Sequence, residues 1–283
     1  MSVITNIIDE MKEAIESISA MLEAQAGLPA DVSSSENEKY TESLQDGLIK
    51  YFMKLRNSFP YSKIGTIYNR HVKESAEGET HKALDPMLTS FSPTLESLLY
   101  EEAIVAYLAG SAQMITWGET KAGIPIAYEG PPMEEAIKYA RNHVTKAKLV
   151  DGINQVTRDR IANIVEEGIR SKRGIPGIAR DIRQEFEWMA KGRSELGITH
   201  EARSLMIART ETNNALSQAF LDRAGEMGMK YKEWVVNSGN PCPECADNDG
   251  SIVPMNEAFP TGVFRTPQHP NCMCSMAATN DKP

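Results

Sequence analysis

Five soft or borderline metal ligands crowd into the last part of this 283-residue chain, as Pro241-Cys242-Pro243-Glu244-Cys245 and, 23 residues on, His269-Pro270-Asn271-Cys272-Met273-Cys274. Two cysteines separated by two residues let one tight turn aim both sulfurs at a single ion. The surrounding segment has few large apolar side chains and many turn residues, so it cannot bury enough surface to offset its conformational entropy. A bound metal supplies the missing stability, on the order of 10 kcal/mol for zinc in small modules. The segment is therefore expected to be a metal knot with one structural zinc and with Cys242, Cys245, His269, Cys272 and Cys274 as candidate ligands. Zinc takes four ligands, so one of the five is spare. Cys242 and Cys245 are the firmest, and the second pair comes from the other three.

Other uses of the cysteines fit less well. All four lie in the last 42 residues, unlike the spread of a secreted disulfide framework. A thioredoxin-like redox pair needs its CxxC at a strand-to-helix turn of a βαβ unit, which the neighbouring pattern does not provide. Pro-Cys-x-x-Cys is also half of the zinc deaminase signature, but that chemistry needs His-x-Glu elsewhere. Two residues beyond His71, His81, His143, His200 and His269 stand Lys73, Ala83, Thr145, Ala202 and Asn271, so the glutamate is missing. Catalytic zinc also keeps an open position beside a base, whereas thiolate-rich ligation quenches the Lewis acidity of the metal. Glu244 and Asp247 are near, but read as solvated carboxylates. No phosphate loop, carboxylate dyad or triad is evident, although Ser194 and His200 are close in sequence.

Composition sets the remaining bounds. Hydrophobic residues make up 41% and charged residues 24%, enough for one large or two ordinary globular units. The densest apolar run, Ala103–Ala109, is far too short to span a membrane. The Met-Ser-Val start lacks the basic and apolar regions of a signal peptide, so a cytoplasmic location is expected. Net charge is −9, which argues against chain-wide affinity for nucleic acid. Residues 140–210 nevertheless carry 14 Lys/Arg against 9 Asp/Glu, a basic middle that offers a contact for DNA or simply solvated helix faces.

Helical periodicity dominates the first 230 residues. Ile4, Ile7, Ile8, Met11, Ile15, Ile18 and Leu22 form one apolar stripe that ends at Gly27-Leu28-Pro29. A second helix starts at Ser35, paired with Glu38 as a capping box, and buries Leu44, Leu48, Tyr51 and Leu55. Residues 58–91 read as loop with short helices. Ser92-Pro93 reads as the start of a long helix, Leu95–Trp117, apolar on more than one side around Ile104, Val105, Tyr107 and Leu108. Gly123–Pro132 is expected to divide a helical N-terminal region, 1–130, from a helical part, 131–230. Helices then follow over 133–148, around Val156, Ile161, Ile164, Val165 and Ile169, from Pro176 through Ile178, Ile182, Phe186 and Met189, and from about Thr199 to Met227. Tyr231–Val236 and Ser251–Val253 read as strands, the second after an Asp249-Gly250 turn, within a small module spanning 231–283. The expected fold class is mainly α (α+β).

Ile207-Ala208-Arg209-Thr210-Glu211-Thr212, then Lys232-Glu233-Trp234, Cys-Pro-x-Cys, Asp249-Gly250 and His269-Pro270-Asn271-Cys272-Met273-Cys274 occur in an order that resembles the Mu F-like phage head morphogenesis family. The resemblance covers about residues 135–275. It departs at Met273, where the family usually carries arginine between the two cysteines. It implies a non-enzymatic minor capsid protein, present in the virion and in the host cytoplasm during assembly. Its partners would be the portal and major capsid proteins, with a role at the portal vertex in procapsid assembly and in packaging or ejection of DNA, which the basic 140–210 segment would contact. Arg209 and Glu211, two apart on a helix, do not face each other. They would orient the knot, meet a partner, or form ordinary ion pairs. The alternative reading is a zinc-dependent, nuclease-like DNA-processing enzyme.

Overall fold

The computed structural model describes residues 34–70, 75–120, 132–195 and 198–280. The Ile4–Leu22 stripe and the Gly123–Pro132 break lie largely outside that set. The described chain is mainly helical with a small three-stranded sheet near its C-terminal end, an α+β arrangement as expected. Its helices are α1 (Ser34–Ser58), α2 (Ile64–Arg70), α3 (Ala76–Thr120), α4 (Met133–Ala140), α5 (Leu149–Arg170), α6 (Ile175–Lys191), α7 (Arg203–Glu226) and the short α8 (Pro243–Asn248). The strands are β1 (Arg193–Glu195), β2 (Ile198–His200), β3 (Tyr231–Val235), β4 (Ile252–Pro254) and β5 (Ser275–Thr279).

One hydrophobic core runs through α1, α3, α5, α6 and α7. Leu44, Leu48, Tyr51 and Leu55 are all buried, as the period of α1 predicts, although Ser35 lies within the helix rather than capping it. The α6 stripe is equally faithful: Ile178, Ile182, Phe186 and Met189 are fully enclosed. Along α5, Ile161 and Val165 are buried but Val156 faces outward, while Asn154 and Thr157 take inner positions. Asn154 accepts a hydrogen bond from the Tyr51 hydroxyl at 2.9 Å and donates to Ser92 Oγ at 2.9 Å, so its buried amide is satisfied.

Three local expectations are corrected. Residues 76–91 are not loop, and Ser92-Pro93 does not start a helix, because α3 runs unbroken from Ala76 with Pro86 and Pro93 inside it. Each proline removes one ladder hydrogen bond and crowds the preceding turn. Ser90 and Ser92 donate their hydroxyls to the carbonyls of Met87 and Leu88 beside the break. Meanwhile Leu84, Leu88, Leu95 and Leu99 bury one continuous stripe, so packing overrides local punctuation. Second, Thr199 belongs to the β1–β2 hairpin, and the following helix begins at Arg203. Third, β5 joins the two expected strands, giving the order β4-β3-β5 with antiparallel pairing throughout.

Helices α3 and α7 approach unusually closely. A Cβ at Gly110 would lie 2.9 Å from the Leu216 carbonyl oxygen, so glycine is what lets the two backbones meet. The opposite face of α7 meets the sheet module, which has its own small core of Leu221, Trp234, Phe259, Met276 and three cysteines.

Candidate metal centre

The first two ligands come from a helix start. Cys242 is the N-cap of α8, with Pro243 opening the helix and the Cys242 sulfur accepting from the Cys245 backbone N–H at 3.4 Å. Proline suits that position because its missing N–H would have no intrahelical partner. One turn therefore turns both sulfurs to the same side. The far end of α8 is anchored by buried Asn248, which donates to Thr261 Oγ1 at 2.7 Å and accepts from the Thr261 N–H at 3.2 Å. That fixes the long loop from Met255 to Gln268 over Trp234, whose ring meets Phe259 edge-on at 5.0 Å.

The second ligands come from the segment leading into β5, and α7 holds that segment from beneath. The Asn213 side chain donates to the carbonyls of both Cys272 and Cys274, at 3.2 and 2.9 Å. Thr210 Oγ1 accepts from the Asn271 N–H at 3.0 Å, which supports Asn271 in its left-handed conformation at φ +65°. Arg209 donates to Asn271 Oδ1 and to Glu201, and Asn271 in turn donates to Glu201 at 2.6 Å. Ser217 pairs with buried Thr266 at 2.5 Å, and Arg265 donates to the Asn214 carbonyl. Arg209, Thr210, Asn213, Asn214 and Ser217 thus form one hydrogen-bonding face of α7. Sequence reasoning quoted Arg209 and Thr210 within the Ile207–Thr212 motif but weighed a role for Arg209 alone, and it missed Asn213, Asn214 and Ser217. The signal was present, since polar residues at 209, 210, 213, 214 and 217 have helical spacing. Glu211 points elsewhere, to His143 Nε2 at 2.5 Å, so it and Arg209 serve separate contacts.

All five predicted ligand residues meet. Cys242, Cys245 and His269 have their ligand atoms within 4.8 Å of one another, as do Cys245, Cys272 and Cys274. Cys245 is common to both groups. The Cys245 and Cys272 sulfurs stand 3.7 Å apart, and His269 Nε2 lies 3.5 Å from the Cys245 sulfur and 3.1 Å from that of Cys242. A tetrahedral zinc with its usual bond lengths requires edges of about 3.8 Å between two sulfurs and about 3.5 Å between sulfur and nitrogen. The Cys245–Cys272 and Cys245–His269 edges match those lengths, and each of the two groups offers three ligands that share Cys245. His269 Nδ1 lies 2.8 Å from the Pro270 carbonyl, an acceptor only, so Nδ1 carries the proton and Nε2 is left with its lone pair toward the sulfurs.

The electrostatics of the thiols point the same way. Hydrogen bonds, first from Cys274, draw the Cys272 thiol down to about 5, while burial pushes the Cys245 thiol up to about 12. The Cys274 thiol is raised because it donates to Cys272, and the Cys245 backbone N–H lowers that of Cys242. With no cation, the cluster holds some sulfurs protonated so that others can ionise. A divalent ion held by these residues would remove that conflict and displace the protons. Neighbouring Glu244 and Asp247 are exposed, and the ligand groups contain only cysteine and histidine.

The α7 contacts carry a testable consequence. Asn213→Leu would leave two partly buried carbonyls without their donor and loosen the loop bearing Cys272 and Cys274. Metal affinity is expected to fall about 10- to 100-fold, as for other groups that orient ligands. Competition with a chromophoric chelator measures it, and unchanged affinity would show that α7 does not position the centre.

Residues 157–277 match the family model described as Phage Mu protein F like protein. The match begins in α5, later than the sequence motifs suggested, and ends in β5. No curated protein matches the chain, nor does any solved structure. The stretch holding α7, its hydrogen-bonding face and the whole cysteine-histidine cluster therefore lies within the segment that is similar to the Phage Mu protein F like family.

Proposed function

We propose that this protein is a minor capsid component that acts at or near the portal vertex during procapsid assembly, through a contact module stapled by one zinc ion. The observation that carries the reading is the position of the cluster within the family-matched segment, on a module whose own apolar core is small. Zinc is favoured by a ligand set of thiols and imidazole. A structural rather than catalytic role is supported by the absence of a carboxylate from the ligand groups among the described residues. We take residues 131–230 as the helical support of the region and 231–283 as its zinc module.

Portal and major capsid proteins are the proposed partners, in the virion and in the host cytoplasm during assembly. No described helix is long and apolar enough to cross a membrane. The basic middle is partly occupied already: Arg158, Arg160, Arg173 and Arg209 each face a carboxylate, at 2.5–3.0 Å. Such pairing leaves Arg141, Lys146, Lys148, Lys172, Arg180 and Lys191, exposed on the surface, as the charges most available to packaged DNA. A tagged full-length chain co-expressed with portal and major capsid proteins should retain the portal, and lose it when zinc is chelated. No retention, or metal-dependent cleavage of DNA by the purified chain, would overturn the assembly role.

The ligand set is separable by substitution. Cys242, Cys245 and Cys272 are proposed as three ligands, with either His269 or Cys274 as the fourth. Among the single variants His269→Ala and Cys274→Ser, one is expected to keep about one zinc per chain and the other to lose it. Full zinc content in both would contradict the set.

A further inference from the structure

Charge is divided unevenly over the fold. Residues 47–70 carry five Lys/Arg and no Asp/Glu, and residues 171–193 carry six against three. The fold joins these two stretches, because the end of α1, the turn Tyr61–Lys63 and α2 all adjoin α6. Arg56 meets Glu187 at 2.9 Å, the Phe59 and Phe186 rings lie 6.2 Å apart, and the Arg183 guanidinium lies 4.1 Å from the centre of the Tyr61 ring. Together the two stretches hold an excess of eight positive charges on a chain of net charge −9, which leaves −17 elsewhere.

The acids of α6 are already taken. Asp181 pairs with Arg173, Glu185 with Arg160 and Glu187 with Arg56, at 2.5–2.9 Å. Lys54, Lys63, Arg180 and Arg183 are exposed, and none of the four has a carboxylate partner among the described residues. Of the large apolar side chains exposed there, only Ile175 belongs to these stretches. A protein partner needs an apolar centre depleted of charge, which this face lacks. A polar, strongly positive face is instead the character of an interface with nucleic acid. The Tyr61 ring has Arg183 over it and Phe59 edge-on at 4.8 Å, so it is not free to stack on an unpaired base. Guanidinium and ammonium groups then favour the phosphates of a duplex.

We propose that the face formed by α6, the end of α1 and the Tyr61–Lys63 turn binds the phosphate backbone of duplex DNA without reading its sequence. The proposal rests on the reading of packaged DNA as a partner and gives that contact a place. The place is not the 140–210 segment as a whole, but a face built from two stretches, one of them outside that segment. Each phosphate neutralised releases counterions, so binding depends steeply on salt. The acidic remainder of the chain repels DNA, so affinity depends on this face.

Fluorescence anisotropy tests this, with a labelled duplex of mixed sequence titrated by the zinc-loaded full-length protein from about 50 to about 200 mM salt. Arg180→Gln/Arg183→Gln and Lys54→Gln/Lys63→Gln are each expected to weaken binding about tenfold or more, and to reduce the salt slope by about two. The two variants draw on different elements, so neither alone decides the result. Arg141→Gln/Lys146→Gln removes the same charge from a turn that packs on α3 and α5, and should change affinity by less than about twofold. Equal losses in all three variants, or tighter binding of a single strand of the same length, would overturn the proposal. So would a duplex that does not bind, and capture of poly-L-glutamate in its place would assign the face to an acidic protein. Portal retention is read in a separate assay, so failure of this proposal and failure of the assembly reading are distinguishable.

Discussion

Replacing Cys245 by serine is expected to release the metal and unfold the C-terminal module while the helical core survives. Cys245 is the residue shared by both ligand groups, and its sulfur is in contact with His269 Nε2 and Cys272 at 3.5 and 3.7 Å. Serine is a poor zinc ligand, so neither group is complete without it. The module's own core contains Leu221, Trp234, Phe259 and Met276 beside three cysteines, too little apolar bulk to hold β3, β4 and the long loop unaided. Loss of the metal removes a stabilisation on the order of 10 kcal/mol. The main core, from Leu44 to Ala219, is a separate cluster, so the damage should stay local. Hydrogen exchange should show loss of protection over residues 231–279 with α1, α3 and α6 unchanged, and Trp234 emission should shift to the red. Uniform loss of protection throughout would mean that the two parts fold as one unit.

A second large effect is expected from Lys232→Met, in the opposite direction. Lys232 lies in the middle of β3, fully buried, where Nζ donates to the Phe264 carbonyl at 2.6 Å and sits 3.4 Å from the centre of the Phe264 ring. Burial lowers its amine to about 8. The unfolded chain keeps an ordinary lysine, with a value of about 10.4. Between those two values the unfolded state binds more protons, so stability rises with pH across the window. Below about 8 the full cost of burying the charge is present. The shift corresponds to about 3 kcal/mol, partly offset in the substitution by the lost carbonyl hydrogen bond and ring contact. Methionine keeps much of the volume without the charge. At pH 7 the variant should be more stable than the natural chain, by about 1–2 kcal/mol, and the gain should shrink towards pH 10. Denaturation of the zinc-loaded protein at pH 7 and pH 10 measures both. A loss of stability at pH 7 would show that the lysine contacts outweigh the cost of its burial.

Legibility in the sequence followed the source of each element's stability. Helices α1 and α6 were readable because their buried stripes keep the 3.6-residue period without interruption. Pro86, Ser92 and Pro93 concealed the continuity of α3, because leucine packing on other helices outweighs local breaks. Strand β3 announced itself through Tyr231, Trp234 and Val235, but Ser-Met-Ala-Ala-Thr of β5 has little strand propensity. Its extended form comes from pairing with β3 along its whole length. The same distinction applies to the metal centre. Its ligands were legible because chemistry restricts them to few residue types, whereas Asn213 and Thr210 act on backbone atoms some sixty residues away, a link only the fold creates.

Metal analysis of the purified full-length chain, paired with thiol titration under native conditions, bears most directly on the cysteine-histidine cluster as a zinc staple. About one zinc per chain is expected, with thiols that react only after chelation or unfolding. A chain that carries no metal after purification in zinc-containing buffer, and whose four cysteines titrate freely, would contradict it.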